Sequence, residues 1–191
     1  MLNIVIFGAP GSGKGTQSDK LIEHYNLFHI STGDVLRDNI RRGTELGKTA
    51  KGIIDQGKLV PDELMISILA QVLDDNKDKT SEGVIFDGFP RTIPQAEALE
   101  KLLADRGTQV DAVVGLEVPE EELIKRILLR GQLSGRSDDN EDTARKRLET
   151  YHNQTSPLKA YYEQQGKYRA INGLGTIDGI FDLIKDALDN L

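Results

Sequence analysis

The 191-residue chain contains no cysteine, which excludes a disulfide framework and any metal centre held by thiolates. That composition suits a reducing, cytoplasmic setting. Long hydrophobic runs are missing as well, and none approaches the roughly 18 consecutive apolar residues needed to span a bilayer. The opening stretch MLNIVIFGAPG has no basic start, and its short apolar run ends in a glycine-rich turn. It does not read as a signal peptide. Positive charge is in deficit: the formal net charge of −7 argues against non-specific partnership with nucleic acid or an anionic membrane. Internal repeats, low-complexity tracts and Pro/Ser-rich linkers are absent too. What remains, 38% hydrophobic and 29% charged residues, describes a soluble chain long enough for one core and a small insertion or two.

Short apolar runs alternate with longer helical patterns, the signature of βαβ units and a parallel sheet. Strands are expected at 2–7, 27–30, 84–86 (ending at Asp87), 110–118 and 168–171. Leu64, Ile68, Leu69, Val72 and Leu73 share one helical face, and Ile177, Ile180, Phe181, Ile184 and Leu188 share another. Both stripes read as core. Pro61 followed by Asp62 and Glu63 marks a helix start, and Pro119 followed by three glutamates marks a second. Two segments lack a core pattern. Residues 31–60 hold short helices and many charges, and residues 131–141 (GQLSGRSDDNE) read as a loop between helices. Both are expected to move as flaps on a rigid α/β body.

Gly8-Ala-Pro-Gly-Ser-Gly-Lys14-Gly-Thr16 follows an apolar strand and opens a helix. Glycines let a backbone wrap closely around phosphate, the N–H groups point inward, and the helix N-terminus adds positive potential. Gly11, Ser12, Gly13, Lys14, Gly15 and Thr16 therefore read as a cradle for a nucleotide phosphate chain, with Lys14 as the point charge. The general pattern places Ser or Thr directly after the lysine; here Gly15 stands there and Thr16 follows. That departure weakens direct magnesium ligation by a hydroxyl. Arg126, Arg130, Arg136, Arg145 and Arg147 fall within 22 residues of an acidic chain, a concentration that suits an anion pocket.

GxPGxGKGT at Gly8–Thr16 resembles the loop of the nucleoside monophosphate kinases. Further motifs follow in order: Ser31-Thr-Gly-Asp-Val-Leu-Arg37, Gly57-Lys-Leu-Val-Pro61, Phe86-Asp-Gly-Phe-Pro-Arg91 with Gln95, and Gly135-Arg-Ser-Asp-Asp139. Together they resemble the adenylate kinases in their short-lid form, without the longer and sometimes zinc-bearing lid. The resemblance implies a three-layer P-loop α/β fold with a five-stranded parallel sheet. It also implies a helical AMP-binding insertion at 31–60 and a short lid at 131–141. It assigns the P-loop, Arg126, Arg130 and Gly175 to ATP. To AMP it assigns Thr32, Arg37, Lys58, Leu59, Val60, Gly88, Phe89, Pro90, Arg91, Gln95, Arg136 and Arg147.

The residues allow their own reading beside it. Thr32 at a turn can meet a nucleobase or cap a helix. Arg37 and Arg91 can fork onto a phosphate, and Gln95 carries the donor and acceptor to read adenine's edge. Asp87, at the C-terminal end of a strand, faces the crevice where ligands bind, and is expected to hold Mg²⁺ through water. Arg145 and Arg147 cannot share a helix face, so at least one is expected to be solvated; the resemblance assigns Arg147 to the site and leaves Arg145 at the surface. Asp138 and Asp139 either hold a closed lid or solvate a loop. His24, His29 and His152 read as structural. The expected activity is reversible phosphoryl transfer from Mg-ATP to AMP, giving two ADP. Lys14, Asp87, Arg91, Arg130, Arg136 and Arg147 would carry it in a monomer that needs no zinc. Two alternatives stay open: a UMP/CMP-type kinase and a non-catalytic nucleotide sensor.

Overall fold

Strand periodicity and helical stripes resolve into one sheet with helices on both faces. The computed structural model describes every residue except 57, 59 and 135–139. The strands are β1 (Leu2–Gly8), β2 (Phe28–Ser31), β3 (Gly83–Asp87), β4 (Ala112–Glu117) and β5 (Tyr168–Asn172). The helices are α1 (Lys14–Tyr25), α2 (Thr32–Arg42), α3 (Glu45–Asp55), α4 (Asp62–Asp75), α5 (Ile93–Ala104), α6 (Glu120–Ser134), α7 (Glu141–Gln164) and α8 (Ile177–Asp189). All strands pair in parallel, in the order β2-β3-β1-β4-β5. This is the expected three-layer α/β architecture.

Alternation along each strand divides the core in two. Val5, Phe7, Val84, Phe86 and Val113 point to the face covered by α4, α5 and α7, where Leu69, Leu99, Leu103, Leu158 and Tyr162 complete the layer. Ile4, Ile6, Ile85 and Val114 point the other way, against Leu21 of α1 and Ile180, Ile184 and Leu188 of α8. Strands buried on both faces read as near-continuous apolar runs without polar alternation; the polar exception in β1, Asn3, donates to Thr108 Oγ1 and the Gln109 carbonyl. A third cluster, Ala9, Leu123, Ile124 and Leu148, seats the turn after β1 against α6 and α7.

Chain order reverses at β1: the chain passes first to the β2/β3 side and then crosses to β4. Ligands of open α/β sheets bind beyond the strand ends at such a point. The glycine-rich turn and Asp87 both lie there, since Ile6 of β1 is the register partner of Asp87.

The helical segment after β2 has its own tight corner. Thr44 caps α3 by accepting from the Gly47 N–H at 2.9 Å, and it donates to Asn39 Oδ1 at 2.9 Å. Gly47 lies so close to α2 that an added Cβ would stand 2.1 Å from the Asn39 carbonyl oxygen. The two helices are therefore locked by backbone contact.

Four expectations need correction. Ile177 is not core: it is 53% exposed, because the apolar stripe of α8 meets its cover only from Ile180 onward. Thr32 is not a cap; Ser31 occupies that position and Thr32 begins the helix. The fourth strand is shorter than 110–118, since Val110 and Asp111 precede the ladder that starts at Ala112. The loop expected at 131–141 does not begin at Gly131, because α6 continues through Ser134. Gln132 and Leu133 are good helix formers and carry it past one glycine. Residues 135–139 of that loop lie outside the described residues.

Candidate active site

The turn after β1 is shaped by where its backbone must go. Gly13 takes the left-handed conformation (φ 88°) at the N-cap of α1, so no side chain is present to cap the helix. The first-turn N–H groups thus have no side-chain cap, and Gly8 through Thr16 line a cavity of about 400 Å³ that Arg130 also borders. Arg126 fixes the outer wall. It donates from Nη1 to the Gly11 carbonyl at 3.2 Å and from Nη2 to the Gly173 carbonyl at 3.3 Å, and it pairs with Glu122 at 3.1 Å. Arg126 thereby ties the turn to the segment that holds Gly175. Arg126 and Arg130 also border, with Leu129 and Leu133, one surface recess.

A second cavity of about 400 Å³ shares Gly8, Pro10 and Lys14 with the first. Its other walls include Gly88, Pro90 and Arg91 after β3, and Lys146, Arg147 and Tyr151 on α7. Four cations, Lys14, Arg91, Lys146 and Arg147, thus border one space. Lys14 Nζ lies 2.7 Å from Asp87 Oδ1, and His29 Nε2 lies 3.4 Å from Asp87 Oδ2. The hydrogen bond from His29, joined by that from Lys14, pulls the Asp87 carboxyl down to about 2 although burial opposes it. Asp87 is therefore ionised throughout the neutral range. His29 is raised above the ordinary imidazole value, chiefly by its bond to Asp87 and against its own burial.

On the far side of Asp87, Arg91 Nε donates to the Gly88 carbonyl at 2.9 Å. Thr32 Oγ1 reaches the same carbonyl at 3.5 Å. Phe89 is buried and joined to Pro90 by a cis peptide. Gln95 Oε1 accepts from the Arg91 backbone N–H at 2.8 Å, and Gln95 Nε2 donates to Asp62 Oδ1 at 2.8 Å. Thr32, Gly88, Arg91 and Gln95 therefore form one connected patch.

The structure does not bring every candidate together. Arg37 folds onto Asp34 three residues before it, and its side chain is 72% exposed; it does not border the cavity. Lys58 and Val60 lie beyond the end of α3 and do not border it either. Leu59, Arg136, Asp138 and Asp139 lie outside the described residues. Arg145 points to Glu141 at 3.0 Å and Glu121 at 3.8 Å, while its neighbour Arg147 borders the cavity.

Sequence reasoning read His29 as structural and Asp62 as a helix-start acid, and it passed over Lys146. For Lys146 a signal existed. Thr143, Lys146, Arg147, Thr150, Tyr151, Gln154 and Thr155 border the cavity at helical spacing, a largely polar stripe where a surface face would be expected. His29 carried none, since its partner lies 58 residues away.

The described residues contain no group of three or more His, Cys, Asp or Glu side chains able to hold a metal ion. None of the described helices is long and apolar enough to cross a membrane.

Comparison with known proteins agrees with this arrangement. The family model described as adenylate kinase matches residues 6–167. Adenylate kinases of Bacteroides thetaiotaomicron and Bacteroides fragilis are 66% and 65% identical, each covering all of both chains. That of Thermus thermophilus is 48% identical over 97% of this chain and 96% of its own. With a family match over most of its length and relatives aligned from end to end, the chain belongs to the adenylate kinase family.

Proposed function

We propose that the chain catalyses the reaction for which its family is named, reversible phosphoryl transfer from ATP to AMP giving two ADP, at the paired cavities around Lys14. The observation that carries this reading is the convergence of Lys14, Arg91, Lys146 and Arg147 on one space beside the phosphate-binding turn. Two nucleotides brought end to end repel each other. Cations fixed at the point where their phosphates meet remove that cost and stabilise charge in the transition state.

In this reading ATP lies along Gly11–Thr16, its phosphates on the backbone N–H groups and Lys14. Arg126, Arg130 and the Gly175 turn lie toward its base. AMP lies beyond Asp87, its phosphate on Arg91 and Arg147 and its base beside Thr32, Gly88 and Gln95. Phe89 and Pro90 shape the turn between them. Arg37, Lys58, Leu59, Val60 and Arg136 join when residues 31–60 and 131–141 close over the site and exclude water. The attacking group is a phosphate oxygen already ionised near neutral pH, so no general base is needed.

Asp87 fits magnesium: it is an ionised oxygen ligand at the strand end, and this cation binds through one or two carboxylates, waters and substrate phosphates. Magnesium supplies charge neutralisation on the ATP phosphates, and no zinc site is required. The enzyme acts as a monomer, because two closing flaps need no second copy. A cysteine-free chain suits the cytoplasm.

A coupled assay for ADP formation with AMP, UMP and CMP as acceptors tests the proposal. AMP is expected to be the best acceptor. A tenfold preference for UMP or CMP, about 1.4 kcal/mol in the transition state, would reject the assignment. Nucleotide binding with no ADP formed would favour a sensor.

A further inference from the structure

Gln95 is an amide, and an amide can present its oxygen and nitrogen either way round. With Oε1 and Nε2 exchanged, the same side chain offers the complementary pattern of donor and acceptor. A free glutamine therefore cannot by itself separate adenine from a 6-oxopurine. Adenine presents a donor at its 6-position beside the N1 acceptor, whereas hypoxanthine and guanine present an acceptor beside an N1–H donor. Rotation of the amide by half a turn would serve either.

In this protein the amide is pinned from both sides. The Arg91 backbone N–H can only donate, so the atom it meets at 2.8 Å must be oxygen. The Asp62 carboxylate is an acceptor, so the atom that meets its Oδ1 at 2.8 Å is the amide nitrogen. Reversing the amide would set two donors against each other at Arg91 and oxygen against a carboxylate at Asp62. Each remaining bond would then be lost or repulsive. With both groups in place Oε1 keeps one lone pair and Nε2 one proton free, in a fixed order. With the base's 6-position toward Oε1, that order suits adenine's 6-amino donor and N1 acceptor and opposes those of a 6-oxopurine.

We propose that Asp62, which no phosphate or catalytic argument requires, is a specificity-determining positioning residue: it fixes the Gln95 amide so that the acceptor site takes adenine and rejects 6-oxopurine monophosphates. The inference rests on the assignment of Gln95 to the AMP base. The ordinary role of an acid at the first residue of α4 is to complement the helix dipole, and losing that role would lower stability equally for every substrate.

The experiment compares AMP with IMP, which differs only at the 6-position and N1. The wild-type chain is expected to prefer AMP strongly. In Asp62→Leu, of similar size but with no acceptor, the ratio of kcat/KM for AMP over IMP is expected to fall at least tenfold. The change should lie mainly in KM, because the reacting phosphates are untouched. In a Gln95→Ala background the same substitution is expected to leave the ratio where Gln95→Ala has put it. A folded Asp62→Leu variant with the wild-type ratio would overturn the inference, as would an equal change in both backgrounds. A wild-type chain that does not phosphorylate AMP at all would instead remove the functional reading beneath it.

Discussion

Lys14 borders both cavities and lies 2.7 Å from Asp87, and the cations around it differ in what they can do. Arg91 is held by the Gly88 carbonyl and borders the cavity. Arg145, two residues before Arg147, spends its donors on Glu141 and Glu121. Removing a group that stabilises transition-state charge costs on the order of 10²- to 10³-fold in kcat, and Lys14→Ala and Arg91→Ala are each expected to lose about that much ADP formation. Arg145→Ala is expected to stay within about twofold, since its donors are spent on surface glutamates rather than on the cavity. Steady-state kinetics on circular-dichroism-checked variants would decide this. Similar losses at Arg91 and Arg145 would mean that the cavity does not mark the site. Lys14, Asp87 and Arg91 were all readable in the sequence, because each stands at a fixed place in a short motif. His29 was not. Only the pairing of β2 with β3, which sets Ser31 beside Asp87, brings that imidazole to the carboxylate.

At the scale of elements, backbone contact locks the corner between α2 and α3 in the segment assigned to AMP. Any side chain at Gly47 would collide with the Asn39 backbone, and backbone cannot give way as a side-chain tip can. Overpacking of this kind costs typically 1–3 kcal/mol. Gly47→Ala is expected to lower the thermal midpoint and to raise KM for AMP more than KM for ATP. Equal effects on both KM values would show that residues 31–60 do not carry the acceptor. Thr44→Ala removes the cap on α3 and should cost about 1 kcal/mol, seen as a smaller shift in the same direction. Helices α2 and α3 were legible as helical and charged, but their mutual locking was not. A glycine with an ordinary helical role and a glycine demanded by a 2.1 Å approach look alike in sequence.

At the scale of the molecule, α1 and α8 together close one face of the sheet, and Tyr25 donates to Asp189 at 2.8 Å across them. Burial and then this bond raise the Tyr25 phenol to about 12, from 10.0. A raised folded-state value means that the unfolded chain ionises first. The contribution is complete below pH 10 and is lost as pH rises through about 12. Tyr25→Phe is expected to lower the midpoint by roughly 2–4 °C at neutral pH, the shift that about 1 kcal/mol produces in a chain of this size. It should also flatten the alkaline fall between pH 10 and 12. Thermal melts across that range would show it, and an unchanged alkaline limb would assign the sensitivity elsewhere.

The phosphate-binding turn, the parallel α/β class and the strand-end carboxylate needed only local information. Glycine spacing, continuous apolar strands and helix starts are properties of neighbours along the chain. Ile177 shows where such information ends: it obeys the helical period of α8, yet the period does not say where the covering layer begins. The polar face of α7 likewise became a cavity wall only once the helix was laid across the strand ends. The pinning of Gln95 by Asp62, 33 residues away, likewise exists only in three dimensions. Backbone conformation is governed by near neighbours, whereas the partner of a charged or polar side chain is whichever group the packed sheet brings within about 3 Å.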